Sequence, residues 1–149
     1  MIQRFDIPGR MLGRNEREKL ARTHWRKAND AKQEETDMVA IHAKAAKLER
    51  VKVPSEVVII YQELAQFYKN GNPKPLRDVD NVSDAQKPIL DGLVRAGVLP
   101  DDNPYWVRRV IPSVQYVREN PRITVTVMDY EPYRIVYYQP VTVPESECR

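Results

Sequence analysis

One acid-rich segment, residues 76–104, restricts what this chain can fold into more than any other feature. Asp78 and Asp80 stand two residues apart, and in an extended backbone such a pair projects to one face. Apolar residues at helical spacing follow, over residues 89–94. A helix of this length can return the chain so that Asp102 meets the first two aspartates. The segment therefore predicts a cluster of carboxylates around a short helix.

Carboxylates brought together in this way repel one another. Two unit charges about 4 Å apart repel by roughly 4 kcal/mol at an effective dielectric constant near 20, and a third carboxylate would force a proton onto one of them. A divalent cation removes the conflict, and Mg²⁺ typically takes one or two carboxylates together with water and substrate phosphate. Each aspartate also has an ordinary explanation, because Asp and Asn favour turns. The spacing alone leaves both interpretations open.

Several residues of this segment recur in a recognisable order: Asp-Val-Asp-Asn at 78–81, Lys-Pro-Ile-Leu-Asp-Gly-Leu at 87–93, Gly97, and Asp-Asp at 101–102. This order resembles the RusA family of Holliday junction resolvases. The resemblance implies a Mg²⁺-dependent endonuclease, with Mn²⁺ as a substitute metal, that acts on branched four-way DNA as a homodimer. It implies that the metal-binding catalytic acids are Asp78, Asp80 and Asp102, and that Lys87 is the active-site lysine.

The chain departs from the family pattern between Asn81 and Lys87. Family members usually place the lysine closer to the asparagine, whereas residues 82–86 intervene here. Two alternatives to a junction resolvase follow. One is a branched-DNA-binding protein of the same fold in which the insertion has disabled catalysis, and the other is a nuclease that prefers flaps or replication forks. Asp101 is the alternative to Asp102 as the third acid.

Basic residues flank the acidic segment. Residues 1–27 hold eight Lys or Arg against three acids, and residues 69–77 hold three basic residues and no acid. A negative centre between positive arms suits a metal site that accepts a polyanion; the alternative is an ordinary solvated surface. The candidate DNA-contacting residues are Arg10, Arg14, Lys69, Lys74 and Arg77.

Composition excludes several other classes of protein. The 149 residues fit one domain, and no apolar run approaches the roughly 18 residues of a membrane span. The N-terminus lacks the apolar region of a signal peptide. The one cysteine, Cys148, excludes a disulfide framework or a thiolate metal site. We therefore expect no membrane partner and a cytoplasmic protein.

The apolar pattern predicts an α/β fold of the α+β type, a single domain with a mixed β-sheet and packed helices in the order β-α-β-α-β-β. The resemblance implies a RusA-like nuclease domain over residues 1–130. Residues 131–149 would extend that domain, with a possible strand near residues 134–138. A strand over 51–67 is predicted from its β-branched residues.

The long predicted helix, residues 15–48, has Asn15 as its cap and Glu18 as the capping partner. Its first half is less periodic and could form a separate helix. The core-facing stripe of its second half is predicted as Met38, Ile41, Ala45 and Leu48.

Two strands, residues 105–117 and 122–128, are predicted to form a β-hairpin at the end of the domain. Pro112 lies inside the first of them, which indicates an edge strand or a bulge because proline cannot donate a ladder hydrogen bond. In the acid-rich segment before these strands, Ser83 is the candidate N-cap of the second helix. The helix proper is predicted to start near Lys87.

Overall fold

A four-stranded mixed β-sheet forms the centre of the protein, and helices pack against it. The structure, a computed structural model, describes residues 1–132. Its elements are β1 (Ile2–Pro8), α1 (Arg14–Thr23), α2 (Trp25–Ala45), β2 (Ser55–Leu64), α3 (Val79–Val82), a 3₁₀ turn (Ser83–Ala85), α4 (Gln86–Arg95), β3 (Val107–Val117) and β4 (Arg122–Asp129). The predicted α+β class and the approximate order of elements are confirmed.

The strand order is β1-β4-β2-β3, so the predicted hairpin of the last two strands is wrong. Strand β4 lies between β1 and β2 and is antiparallel to both, whereas β3 runs parallel to β2. The buried face of β4 explains this position, because Ile123, Val125 and Val127 are at most 2% exposed and a central strand covers them best. Strand β3 contains Pro112 and takes the edge, as the sequence predicted.

The helices cover one face of the sheet and close the core there. Alternate residues of β1, β2 and β4 are buried against α2 and α4, as the period of two in a strand requires. The core residues of these elements are Phe5, Ile7, Val39, Ala43, Val57, Ile59, Tyr61, Ile89, Leu93, Ile123, Val125 and Val127.

Helix α2 faces the core with a different stripe from the predicted one. Met38 and Ile41 are 41% and 64% exposed, and the buried residues of α2 are Glu35, Thr36, Val39, Ala40 and Ala43. Both stripes have helical spacing, so periodicity alone does not distinguish them. The observed stripe carries smaller side chains, which allow the neighbouring helix α4 to approach closely.

The two helices approach each other closely at Gly92 of α4. A Cβ atom built there would lie 2.5 Å from Val39 Cγ1, closer still to Val39 Cβ, and 2.9 Å from the backbone oxygen of Thr36. Such separations are well inside van der Waals contact, so the two helices can pack this tightly only if residue 92 has no side chain.

We expect Gly92→Ala to destabilise the protein by about 2 kcal/mol, because overpacking of a tight core outweighs the better helix propensity of alanine. The melting temperature should fall by about 6 °C in thermal unfolding followed by circular dichroism. Gly97→Ala is the matched control: Gly97 has a φ of 79° and open space around it, so only a backbone cost of about 1 kcal/mol is expected. An equal or smaller loss at residue 92 would contradict the close approach.

The helix ends differ partly from the predictions. Gly13, not Asn15, is the N-cap of α1, and its backbone N–H donates to Glu16 Oε1 at 3.3 Å. The predicted long helix is broken at His24, so its first half is indeed a separate helix. Ser83 does not cap a helix, because its hydroxyl donates back to the oxygen of Val79 at 2.6 Å.

The C-terminal predictions lie largely outside the described residues. The possible strand near residues 134–138, Cys148 and most of the predicted extension 131–149 all fall beyond residue 132. Within residues 1–132, no helix is long and apolar enough to cross a membrane.

Candidate active site

Asp78 and Asp80 lie at the start of the short helix α3, on the connection between the parallel strands β2 and β3. The backbone is extended at Asp78, which is the N-cap, and Asp80 is already in the first turn. Both side chains are exposed and line one open hollow. The hollow is completed by Arg14, Asn15, Glu18 and Asn81. The predicted pairing of these two carboxylates is therefore present, although through a helix start and not an extended strand.

Buried apolar residues hold this acidic turn in place. Val82, Ala85 and Ile89 recur at i, i+3 and i+7, and each is at most 1% exposed. They anchor α3, the 3₁₀ turn and α4 to the core as one continuous segment. Asp78 and Asp80 consequently stay at the surface while the backbone beneath them is fixed by packing.

Helix α1 docks against this turn through Asn81. The side-chain oxygen of Asn81 accepts a hydrogen bond from the backbone N–H of Asn15 at 3.2 Å. Gly13 makes the approach possible, since a Cβ atom there would lie 2.8 Å from Arg77 Nη1 and closer still to Asn81 Oδ1. The asparagine that follows the two aspartates therefore ties the start of α1 to the hollow.

Lys87 and Asp102 belong to a second group of charged side chains. Lys87 Nζ lies 2.5 Å from Asp102 Oδ2 and 2.9 Å from Asp91 Oδ1. The hydrogen bond from Lys87 holds the pKa of Asp102 below its usual value of 3.8. The bonds to Asp102 and Asp91 raise the pKa of Lys87, so its ammonium stays charged. Asp102 does not line the hollow of Asp78 and Asp80.

We expect Lys87→Gln to raise the pKa of Asp102 towards its ordinary value, because the charged donor is removed. The interaction in the native protein contributes stability above the ordinary pKa of about 4, and this contribution is lost as the pH falls through the depressed pKa. Titration of side-chain carboxyl ¹³C shifts by NMR measures the change directly. The same titration of Asp37, which pairs with Arg95, is the control, and an unshifted Asp102 would contradict the contact.

Of the three predicted metal-binding acids, Asp78 and Asp80 line the same hollow and Asp102 does not. Asp78 and Asp80 offer hard oxygen ligands beside open solvent, which matches binding through one or two carboxylates plus water and phosphate. Within residues 1–132, no three His, Cys, Asp or Glu side chains form a group that could hold a metal ion. Asp102, with its carboxylate held by Lys87, stays a prediction as the third ligand.

Three of the five candidate DNA-contacting residues are ion-paired. Arg10 pairs with Glu16, and Arg14 Nε lies 3.1 Å from Glu18 Oε1. Arg77 is 14% exposed; its guanidinium pairs with Glu63 and donates to the backbone oxygen of Met11 at 3.0 Å. Arg77 therefore joins the loop before α3 to strand β2 and to the loop before α1.

Lys69 and Lys74 lie on a tight turn after β2. The turn is closed by backbone bonds from Lys74 to Gln66 at 2.7 Å and from Tyr68 to Asn72 at 2.8 Å. The ammonium of Lys74 lies over the Tyr68 ring, 5.4 Å from its centroid. Lys74 also lines, with Arg10, Glu63 and Arg77, a cavity of about 200 Å³.

A polar network that includes the buried side chain of Glu35 was not found from the sequence. Arg17 pairs with Glu35 at 2.6 Å and with Asp84 at 3.2 Å, which joins α1 to α2 and to the 3₁₀ turn. Burial raises the pKa values of Glu35 and Tyr61. No local pattern predicts a pair 18 residues apart on two helices. The burial of Tyr61, in contrast, had a signal in the sequence, since Tyr61 continues the alternation of the buried face of β2.

Comparison with known proteins neither supports nor contradicts the resemblance to the RusA family. A scan against models of protein families finds no match to this chain, and a search of curated proteins finds none either. The similarity to the RusA family thus rests on the residues of the acidic segment and remains a prediction.

Proposed function

We propose that this protein is a metal-dependent, structure-specific endodeoxyribonuclease that nicks four-way DNA junctions, as the RusA-like segment implies. The observation that carries this proposal is the hollow in which Asp78 and Asp80 stand together, on a turn fixed by core packing and lined on one side by helix α1. A carboxylate pair of this kind suits a divalent metal and a phosphodiester substrate.

In this proposal Asp78 and Asp80 hold Mg²⁺, for which Mn²⁺ can substitute. The metal, when bound, would activate a water molecule and offset charge on the phosphoryl oxygens. The chain's own contribution is to position the two carboxylates: Val82 fixes the helix beneath them, and Asn81 fixes α1 beside them. Carboxylates that are fixed in position by packing keep the geometry that metal binding requires, whereas mobile carboxylates lose activity.

Lys87 is proposed to donate a hydrogen bond to the phosphate or to the leaving oxygen. Its raised pKa keeps it protonated, and a positive charge at that point stabilises developing negative charge. Asp102 and Asp91 would orient the ammonium. Lys87 holds Oδ2 of Asp102 and would compete with a metal ion for that oxygen.

The partner in this proposal is branched DNA, bound by a homodimer in the cytoplasm. A four-way junction has approximate two-fold symmetry, and a C₂ dimer presents two equivalent sites to it. Paired nicks in strands of like polarity would then follow from the symmetry of the complex.

One observation favours a second candidate, the branched-DNA-binding protein without catalysis. Asp102 is held by Lys87 and does not join Asp78 and Asp80, which is the arrangement expected if the insertion between Asn81 and Lys87 disables the triad. Binding without nicking would then be the whole function.

The experiment that decides between them incubates the purified protein with an end-labelled synthetic four-way junction and Mg²⁺. Duplex, flap and fork substrates are run in parallel, and EDTA is the metal control. Paired nicks in the junction alone, abolished by EDTA, are expected. Tight binding with no nick in either Mg²⁺ or Mn²⁺ would establish the binding protein, and faster cutting of flaps or forks would establish the other nuclease class.

A further inference from the structure

Helix α1 and the start of α2 form a corner that the core does not use. Helix α1 buries no residue, and residues 21–27 are all exposed. A helix that buries no apolar face gains little stability from packing, so this exposed corner is suited to contact with something outside the domain.

The corner is basic, and its cations are available. Residues 19–28 carry four Lys or Arg and no acid. Within the described part of the chain, Lys19, Arg22 and Lys27 form no ion pair. Four other arginines differ, because Arg10, Arg14, Arg17 and Arg77 all pair with carboxylates. Unpaired surface cations are the ones that release counterions when they meet phosphate.

An aromatic ring lies among these cations. Trp25, at the break between the two helices, is 63% exposed, and the guanidinium of Arg26 lies 5.4 Å from the ring centroid. A single exposed aromatic residue is common on protein surfaces. An exposed tryptophan within a group of unpaired cations is the combination that single-stranded nucleic acid recognises, by stacking and by charge.

Helix α1 connects this corner directly to the acidic hollow. Asn15 and Glu18 line the hollow of Asp78 and Asp80, and they also line a second hollow with Lys19, Arg22 and Thr23. At 1.5 Å per residue, Arg22 lies about 10 Å along the helix from Asn15. That distance corresponds to roughly three phosphates on one strand of a duplex.

We infer that the basic corner, defined as Lys19, Arg22, Trp25, Arg26 and Lys27, is the surface that binds DNA beside the site. This assignment rests on the proposed nuclease function and adds where the DNA lies. The cations contact phosphates next to the strand held at Asp78 and Asp80. Trp25 stacks on a base left unpaired at the branch point. The corner, and not the ion-paired Arg10, Arg14 and Arg77, then supplies most of the electrostatic affinity.

The first test compares two variants with the same loss of charge. The corner variant is Lys19→Gln/Arg22→Gln/Lys27→Gln, and the control is Lys44→Gln/Arg50→Gln/Lys52→Gln, three exposed residues at or beyond the other end of α2. Binding of a fluorescent four-way junction is measured by anisotropy without divalent metal, from 50 to 200 mM salt. The corner variant should bind roughly 10- to 100-fold more weakly, with a log–log salt slope smaller by about 2 to 3. The control should lose less than threefold.

The second test uses tryptophan fluorescence. The chain has two tryptophans, and Trp106 packs against the core, so Trp25→Phe isolates the signal of Trp25. Junction DNA should quench the emission of the wild type and leave that of Trp25→Phe nearly unchanged. Trp25→Ala should bind the junction about tenfold more weakly.

The outcomes separate this inference from the proposed function. Junction binding that falls equally in the corner and control variants, or unquenched Trp25 emission, overturns the basic corner even if the wild type nicks junctions. Loss of affinity confined to the corner variant supports it even if the wild type binds without nicking. A wild type that binds no DNA at 50 mM salt overturns both.

Discussion

Asp80→Asn is expected to lower metal-dependent nicking of a four-way junction by roughly a hundredfold or more. Residues that merely support a metal ligand typically account for 10- to 100-fold in activity, so loss of a ligand should reach at least the upper end of that range. The change keeps the shape of the side chain and removes the charge of one of the two aspartates in the hollow. Single-turnover cleavage of a labelled junction measures the effect.

Junction affinity should not fall in the same variant. Phosphate contacts from Lys and Arg dominate DNA binding, and removing a negative charge beside the DNA leaves them intact. Asp37→Asn is the matched control, since Asp37 is exposed and makes a surface ion pair with Arg95, of a kind that contributes at most about 1 kcal/mol. Nicking at the wild-type rate by Asp80→Asn would remove the hollow from the proposed mechanism.

Arg77→Gln is expected to destabilise the fold by about 3 kcal/mol or more. Glu63 is 8% exposed, and removal of Arg77 would leave its charge buried without its partner, which is among the most destabilising single changes known. Arg77 also donates to the oxygen of Met11, so the loop before α1 would loosen. The melting temperature should fall by about 10 °C.

The double variant Arg77→Gln/Glu63→Gln separates structure from DNA contact. Neutralising both partners removes the unpaired charge, so much of the lost stability should return. Junction affinity, measured at a temperature where all variants are folded, should change little. A large loss of affinity with unchanged stability would instead make Arg77 the DNA contact that the sequence predicted.

Local chemistry accounts for the parts of this protein that depend on a few neighbouring residues. Pro112 placed β3 at the sheet edge because it lacks a donor. Gly97 follows α4 with a positive φ of 79°, the conformation that helix ends commonly require. Lys87 and Asp91, four residues apart, form the ion pair that helical spacing predicts.

The predictions that were wrong concerned which helix face and which strand edge pack against another element of the fold. Two stripes of α2 had the same period, and the one with smaller side chains faced inward because α4 packs against it at Gly92. Strand β4 could have paired with β3 as a hairpin. It lies between β1 and β2 instead, where its apolar face and both of its backbone edges are covered.

By itself, then, the sequence determined the class of fold and the edge position of β3, because both follow from burial patterns and backbone hydrogen bonding within short segments. Only the tertiary structure decided that Asp102 is held by Lys87 and that Arg77 is committed to Glu63. Ion pairs between distant segments compete among many partners of similar energy. Their outcome is set by which side chains the folded backbone brings within reach.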